Sequence, residues 1–172
     1  RALMQIDLSE DPAATMPTTG GAGSLTLAEL AGAAYDDPKW DQLLDQLTID
    51  EMKHLVTFGG YQTADVESIG KARTYDIDGP AGLSSFMGAS VSAAAYPVGI
   101  VMASTWNVDL AEERGRNVGY EALELGVNGW YAPGANLHRS PFGGRNFEYY
   151  GEDPLLAGGI SAGESRGAQS QG

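Results

Sequence analysis

From about residue 72 to the end of the chain, short apolar or alternating runs take turns with capped helical segments. Arg73-Thr-Tyr75-Asp-Ile77-Asp78 alternates along its length and breaks at Gly79-Pro80. Pro97-Val98-Gly-Ile100-Val101-Met102-Ala103 is a short apolar run suited to a strand buried on both faces. Asn107 is placed to cap a helix reaching about Leu125, with Val108, Ala111, Val118, Ala122 and Leu125 inward and Gly126 just past its end. Val127-Asn-Gly-Trp130-Tyr131-Ala132 is a third strand candidate, and Asp153-Pro154 opens a further helix with Leu155, Leu156 and Ile160 on one side. Strands alternating with helices in this way predict an α/β fold around a parallel sheet with right-handed crossovers. In such folds ligand-binding groups gather just beyond the C-terminal ends of the strands.

The first 71 residues read differently. Leu3-Met-Gln-Ile6-Asp-Leu8 alternates like a short strand, and Pro12, Pro17, Gly20-Gly21 and Gly23 then read as linker. Leu25, Leu27 and Leu30 suggest a short helical turn. Asp37-Pro38 supplies a helix start, followed by Trp40, Leu43, Leu44 and Leu47 at helical spacing. Thr48 and Glu51 have the capping-box spacing, in which each side chain satisfies an orphan backbone N–H of the other. Met52, Leu55 and Val56 form the apolar face of that second helix, and Gly59-Gly60 ends it. The expected organisation is therefore 1–35 as a linker or the end of a preceding domain, 36–71 as a helical lead-in, and 72–172 as the α/β part.

Charge narrows the partners. A formal net charge of −13 with only ten Lys and Arg argues against nucleic acid and anionic membrane surfaces, which need clustered cations. Cysteine is absent, which excludes thiol chemistry and cysteine metal sites. No apolar run approaches the ~18 residues of a membrane-spanning helix. No signal-peptide h-region is visible in this segment, which inclines the expectation towards the cytoplasm and leaves the compartment open. Two distant histidines and scattered carboxylates give no three- or four-ligand metal spacing. The paired glycines match neither a phosphate loop nor a dinucleotide fingerprint, so no cofactor is expected.

Chemistry concentrates between Pro133 and Pro154. This loop carries His138, Arg139, Arg145, Glu148, Glu152 and Asp153, among the aromatics Phe142, Phe147, Tyr149 and Tyr150. The chain has seven arginines in all and no lysine after Lys71, so two arginines in one loop stand out. A guanidinium offers five donors in a fixed fork and grips vicinal hydroxyls or a carboxylate at two points. The same arginines could equally brace the loop against its own carboxylates; one of each role is expected. Aromatic faces suit sugar rings, although ordinary packing under a long loop accounts for any single ring equally well. Asp153, before Pro154, reads as a helix cap, and Glu148 suits a buried partner for an arginine. His138 has the pKa of a general base, yet without a Ser or Cys nucleophile motif nearby a structural hydrogen bond is the expected role. Asp78, ahead of Gly79-Pro80 at a strand end, is either a ligand-binding carboxylate or part of an ordinary turn.

Three blocks together carry a family likeness: Asp78-Gly79-Pro80-Ala81-Gly82-Leu83, Ala103-Ser-Thr105-Trp106-Asn107, and Ala132-Pro133-Gly134-Ala-Asn136-Leu-His138-Arg139-Ser-Pro141-Phe-Gly143-Gly144-Arg145-Asn146-Phe147-Glu148-Tyr-Tyr-Gly-Glu152-Asp153-Pro154. Residues 72–172 resemble the N-terminal part of the (β/α) barrel domain of glycoside hydrolase family 3, which includes β-glucosidases and β-xylosidases. The resemblance implies a partial (β/α)8 TIM-type barrel, its first three or so β/α units, behind the short helical lead-in. It implies a retaining exo-acting β-glycosidase, a β-glucosidase in the first instance, acting on a terminal β-linked sugar of an oligosaccharide or glycoside. It implies that Asp78 and Arg145 bind hydroxyls of that sugar with Arg139 close behind. Relatives often carry an arginine shortly after the Asp-Gly-Pro element, where this chain has Ser84 and Ser85.

The family's nucleophile Asp, acid/base Glu and sugar-holding Lys-His pair have no counterpart here, so no catalytic residue is assigned within the chain. Retention needs two carboxyl groups about 5–5.5 Å apart, one with a raised pKa, and neither Glu148 nor Asp153 is recruited to that task. A full barrel takes about 250 residues, so the expectation is that the remainder of the enzyme lies beyond Gly172 or on a second chain. Two rivals stand beside this reading: a non-catalytic carbohydrate-binding or structural piece of the same fold, and an unrelated α/β protein binding an anionic ligand.

Overall fold

Capping chemistry organises the first part of the chain, as its spacing implies. The computed structural model describes residues 12–84 and 91–172, so the strand expected over residues 3–8 lies outside the described residues. The chain divides into two compact units, one running through Thr57 and again over Asp65–Ala72, the other formed by Phe58–Ala64 and Arg73–Gly172.

In the first unit, a 3-10 turn at Leu27–Leu30 precedes helices α1 (Lys39–Leu44) and α2 (Ile49–Thr57). The Asp37 carboxylate accepts from the Lys39 N–H at 2.9 Å, fixing the start of α1. Thr48 and Glu51 close the expected capping box at α2. The Thr48 N–H donates to Glu51 Oε2 at 2.8 Å, and the Glu51 N–H donates to Thr48 Oγ1 at 3.2 Å. The core of this unit gathers Leu30, Leu43, Leu47, Val66 and Ile69. Leu44, expected inward, is 55% exposed.

The second unit holds a three-stranded sheet. Strand β1 (Gln62–Thr63) pairs antiparallel with β2 (Thr74–Asp78). A short helix α3 (Gly99–Ala103) and a long one, α4 (Val108–Leu125), then lead to β3 (Gly129–Tyr131). Strand β3 runs parallel to β2, aligning Asp78 with Tyr131. Helix α5 (Pro154–Gln169) follows the loop after β3. The result is an α/β arrangement of helices with a small sheet.

One expected strand is a helix. The run 97–103 forms α3 instead, and its burial gives the reason. Met102 and Ala103 are buried while Ile100 and Val101 are 41% and 51% exposed. Only one side of the segment meets a core, so it has no second apolar layer to satisfy a two-faced strand.

Helix α4 fits its expected limits. Asn107 Oδ1 accepts from the Leu110 N–H at 3.0 Å, and Gly126, at φ 69°, ends the helix. Its buried face is narrower than expected. Ala111 and Val118 are buried, but Val108 and Leu125 are 37% and 40% exposed, and Arg114 lies on the inner face. Helix α5 crosses α4 backbone to backbone at Gly115. A Cβ there would lie far inside 3.0 Å of the Glu164 carbonyl oxygen. Ala111, Val118 and Ile160 are fully buried around that crossing, with Met102, Ala103, Tyr150 and Ala157 on one side and Ile77 and Leu83 on the other. Val118, Ala122 and Trp130 complete the packing between α4 and the sheet.

Candidate functional site

Asp78 is the last residue of β2, placed where a parallel strand delivers side chains to the rim of the sheet. Its carboxylate accepts from the Gly79 N–H at 2.8 Å, and its backbone oxygen accepts from Ser84 at 2.9 Å. Gly79 adopts φ 122°, which a side chain rarely tolerates, and an added Cβ would strike the Gly82 carbonyl. The turn is pinned from two directions. Trp130 Nε1 donates to the Gly79 carbonyl at 2.9 Å, and Arg114 Nη2 donates to the Pro80 carbonyl.

The loop after β3 folds on its own polar groups. The His138 N–H donates to the Gly151 carbonyl at 2.9 Å, and Asn146 Nδ2 donates to the Ser140 carbonyl at 2.8 Å. A 3-10 turn at Asn146–Glu148 carries Arg145 and Glu148 on one side, where Arg145 Nε donates to Glu148 Oε1. The Glu148 side chain is 9% exposed and that of Arg145 70% exposed. The arginine is therefore held by one nitrogen while its terminal amino groups reach outward. Its guanidinium also sits 5.9 Å from the Tyr149 ring centroid. The Glu148 hydrogen bond, then its charge, raises the Arg145 pKa, with Tyr149 and Asp78 adding to the rise. Asp153 Oδ1 accepts from the N–H groups of Leu155 and Leu156 at 2.7 and 3.0 Å, so it is the cap of α5, as its place before Pro154 implies.

The two segments converge. A cleft of about 290 Å³ is lined by Asp78, Pro80, Ser84, Gly99, Phe147 and Glu148. Asp78 and Arg145 lie close enough for the charge of one to shift the other. Arg139 is exposed, makes no ion pair among the described residues and does not line that cleft. His138 Nε2 is buried and finds no hydrogen-bond partner among the described residues.

Two features of the site were not singled out in the sequence. Tyr61 lies beside Asp78 and packs edge-on against Tyr131, ring centroids 5.0 Å apart. Burial, then the Asp78 charge, raises its hydroxyl pKa, so it remains a hydrogen-bond donor to Asp78. It holds φ 56°, a left-handed conformation that costs a non-glycine residue roughly 1–2 kcal/mol. Its only sequence signal is its place after Gly59-Gly60. The second feature is a buried ionic network. Arg114 Nη1 donates to Glu164 Oε1 at 2.6 Å, and the Tyr150 hydroxyl donates to Glu164 Oε2 at 2.8 Å. Burial raises the Glu164 carboxyl above its ordinary value, with Arg114 and Tyr150 pulling against that rise. Charged residues 50 positions apart give no local signal of pairing.

The fold and the rim define an α/β segment with a cleft lined by a strand-end carboxylate, Phe147 and the Glu148 that tethers an arginine. The profile of the glycosyl hydrolase family 3 N terminal domain matches residues 55–172, and the chain belongs to that family. It is 42% identical over 114 residues to beta-glucosidase A of Butyrivibrio fibrisolvens, covering 66% of this chain and 13% of that protein. It resembles the structure of beta-glucosidase 3B from Thermotoga neapolitana in complex with alpha-D-glucose, with TM-score 0.67 and 38% identity over 77% of this chain and 22% of that one. A beta-glucosidase from Paenibacillus barengoltzii matches with TM-score 0.74 and 29% identity, covering 92% of this chain and 18% of that one. The chain thus spans less than a quarter of the length of these relatives.

Proposed function

We propose that this chain supplies part of the glycone-binding rim of a retaining exo-acting β-glycosidase, a β-glucosidase in the first instance. Residues 72–172 form the first units of a (β/α)8 barrel, with 36–71 as helical lead-in and 1–35 as linker or the end of a preceding domain. Asp78 accepts hydrogen bonds from hydroxyls of the terminal sugar, and the free amino groups of Arg145 donate to neighbouring hydroxyl oxygens. Arg139 stands further out. The catalytic carboxyl groups come from the remainder of the enzyme, since Glu148 is committed to Arg145 and Asp153 to α5.

The observation that carries this reading is the cleft that Asp78 shares with Phe147 and Glu148, the carboxylate that tethers Arg145, from segments more than 60 residues apart, in a chain similar to a beta-glucosidase solved with glucose. A carboxylate or guanidinium hydrogen bond contributes about 1.5–3 kcal/mol. Asp78→Asn in the enzyme carrying this chain is therefore expected to weaken glucose binding by roughly 10- to 100-fold. Calorimetric titration with glucose measures this, and an unchanged affinity removes Asp78 from the site.

A further inference from the structure

We propose that Arg114, Glu164 and Tyr150 are positioning residues that set the Asp78 turn in register with the loop carrying Arg145. This rests on the sugar-binding reading of that rim and extends it to residues that touch no sugar.

The connection can be followed atom by atom. From α4, Arg114 holds the Pro80 carbonyl with Nη2, two residues after Asp78. With Nη1 it holds Glu164 of α5 at 2.6 Å, and Glu164 in turn accepts the Tyr150 hydroxyl at 2.8 Å. Tyr150 lies two residues after Glu148, the carboxylate that tethers Arg145. Three buried side chains thus join the two halves of the rim. Arg114, Glu164 and Tyr150 are 4%, 0% and 3% exposed, so water does not compete for these bonds. Tyr96 reinforces the first arm: its N–H donates to the Ala81 carbonyl at 2.9 Å, and its ring centroid lies 5.8 Å from the Arg114 guanidinium.

Stability alone is a poor reason for such a network. Taking two charges out of water is costly, and an apolar pair of similar volume is often as stable or more so. Arg114 Nε has no hydrogen-bond partner among the described residues, which adds to that cost. A planar fork nevertheless does what apolar packing cannot: it fixes the angle between two acceptors. Sub-ångström placement of ligand-binding groups requires that kind of support.

The test replaces the charges together, R114M with E164L, in the enzyme carrying this chain, and measures glucose affinity and thermal unfolding. The expected result is a folded protein with affinity reduced at least about fivefold. A cycle with Asp78→Asn gives a readout that a merely structural role would not move. Asp78→Asn is expected to lose much less affinity in the altered background than in the intact protein, because its carboxylate is already misplaced. A folded double variant with unchanged affinity overturns the inference, and so does full additivity with Asp78→Asn. If the double variant does not fold, R114K decides. It keeps a charge for Glu164 but cannot span Glu164 and the Pro80 carbonyl with one rigid fork. Reduced affinity in a folded R114K protein supports the brace, and unchanged affinity overturns it. Should Asp78→Asn leave affinity unchanged in the intact protein, the rim assignment itself fails, which is distinct from failure of the brace alone.

Discussion

Gly115→Ala sets two opposing effects against each other at the crossing of α4 and α5. In an exposed helix interior, alanine is favoured over glycine by about 0.8–1 kcal/mol. At Gly115 the new methyl would lie far inside 3.0 Å of the Glu164 carbonyl oxygen, a backbone atom with no rotamer to yield. Restoring ordinary contact means parting the helices by more than about 1 Å, and a gap of 0.5–1 Å already forfeits a quarter to a half of each dispersion contact. Ala111, Val118 and Ile160, all fully buried around the crossing, would lose that packing together. Overpacking of this kind costs about 1–3 kcal/mol or more, so destabilisation should win by about 1–2 kcal/mol net. For a chain of this size that is a fall in Tm of roughly 2–8 °C. Gly158→Ala is the control, a glycine within α5 that is exposed, with nothing within 4 Å of the added carbon. It should keep the propensity gain and raise Tm. Thermal unfolding followed by circular dichroism compares the two. A rise in Tm for Gly115→Ala matching that of Gly158→Ala would refute the close-packed crossing.

Three further outcomes follow from particular contacts. The Thr48 backbone N–H holds the Glu51 carboxyl down to about 2 from its ordinary 4.5, so its contribution to stability is complete above the ordinary value and is lost as pH falls towards 2. Glu51→Gln should lower Tm at pH 6 and be indistinguishable from the unaltered chain near pH 2; a constant difference across that range contradicts the ionic cap. Asp153→Ala removes the acceptor of two N–H groups at the start of α5 and should cost about 1 kcal/mol by denaturant unfolding, with no loss meaning the cap is idle. Arg145→Ala should weaken glucose binding by at least about tenfold, whereas Arg139→Ala should change it by less than about threefold. The reverse order, measured by titration, would exchange their roles.

What could be read from the sequence was local chemistry. The capping box at Thr48 and Glu51, the Asn107 and Asp153 caps and the Gly126 stop all depend on residues within four positions of one another, and each forms as spaced. The pairing of Arg145 with Glu148 is equally local. The run 97–103 was misread because a short apolar segment has too few residues to separate a two-faced strand from a one-faced helix. Only the exposure of Ile100 and Val101 decides it, and that depends on what packs nearby. The inward face of α4 was misjudged for a related reason. Arg114 is a residue type that seldom lies fully buried, yet Glu164 and the Pro80 carbonyl, distant in sequence, make its burial tolerable. Tyr61 was missed because its meaning comes from Asp78, brought beside it by strand pairing.

The central claim is that Asp78 and Arg145 hold one sugar between them. The most direct measurement is a crystal structure of the enzyme carrying this chain with glucose bound. The account predicts glucose hydroxyls within hydrogen-bonding distance of the Asp78 carboxylate and of the terminal amino groups of Arg145, with Arg145 still tethered to Glu148. Glucose bound with neither residue in contact, in a structure where the rim is otherwise intact, would contradict it.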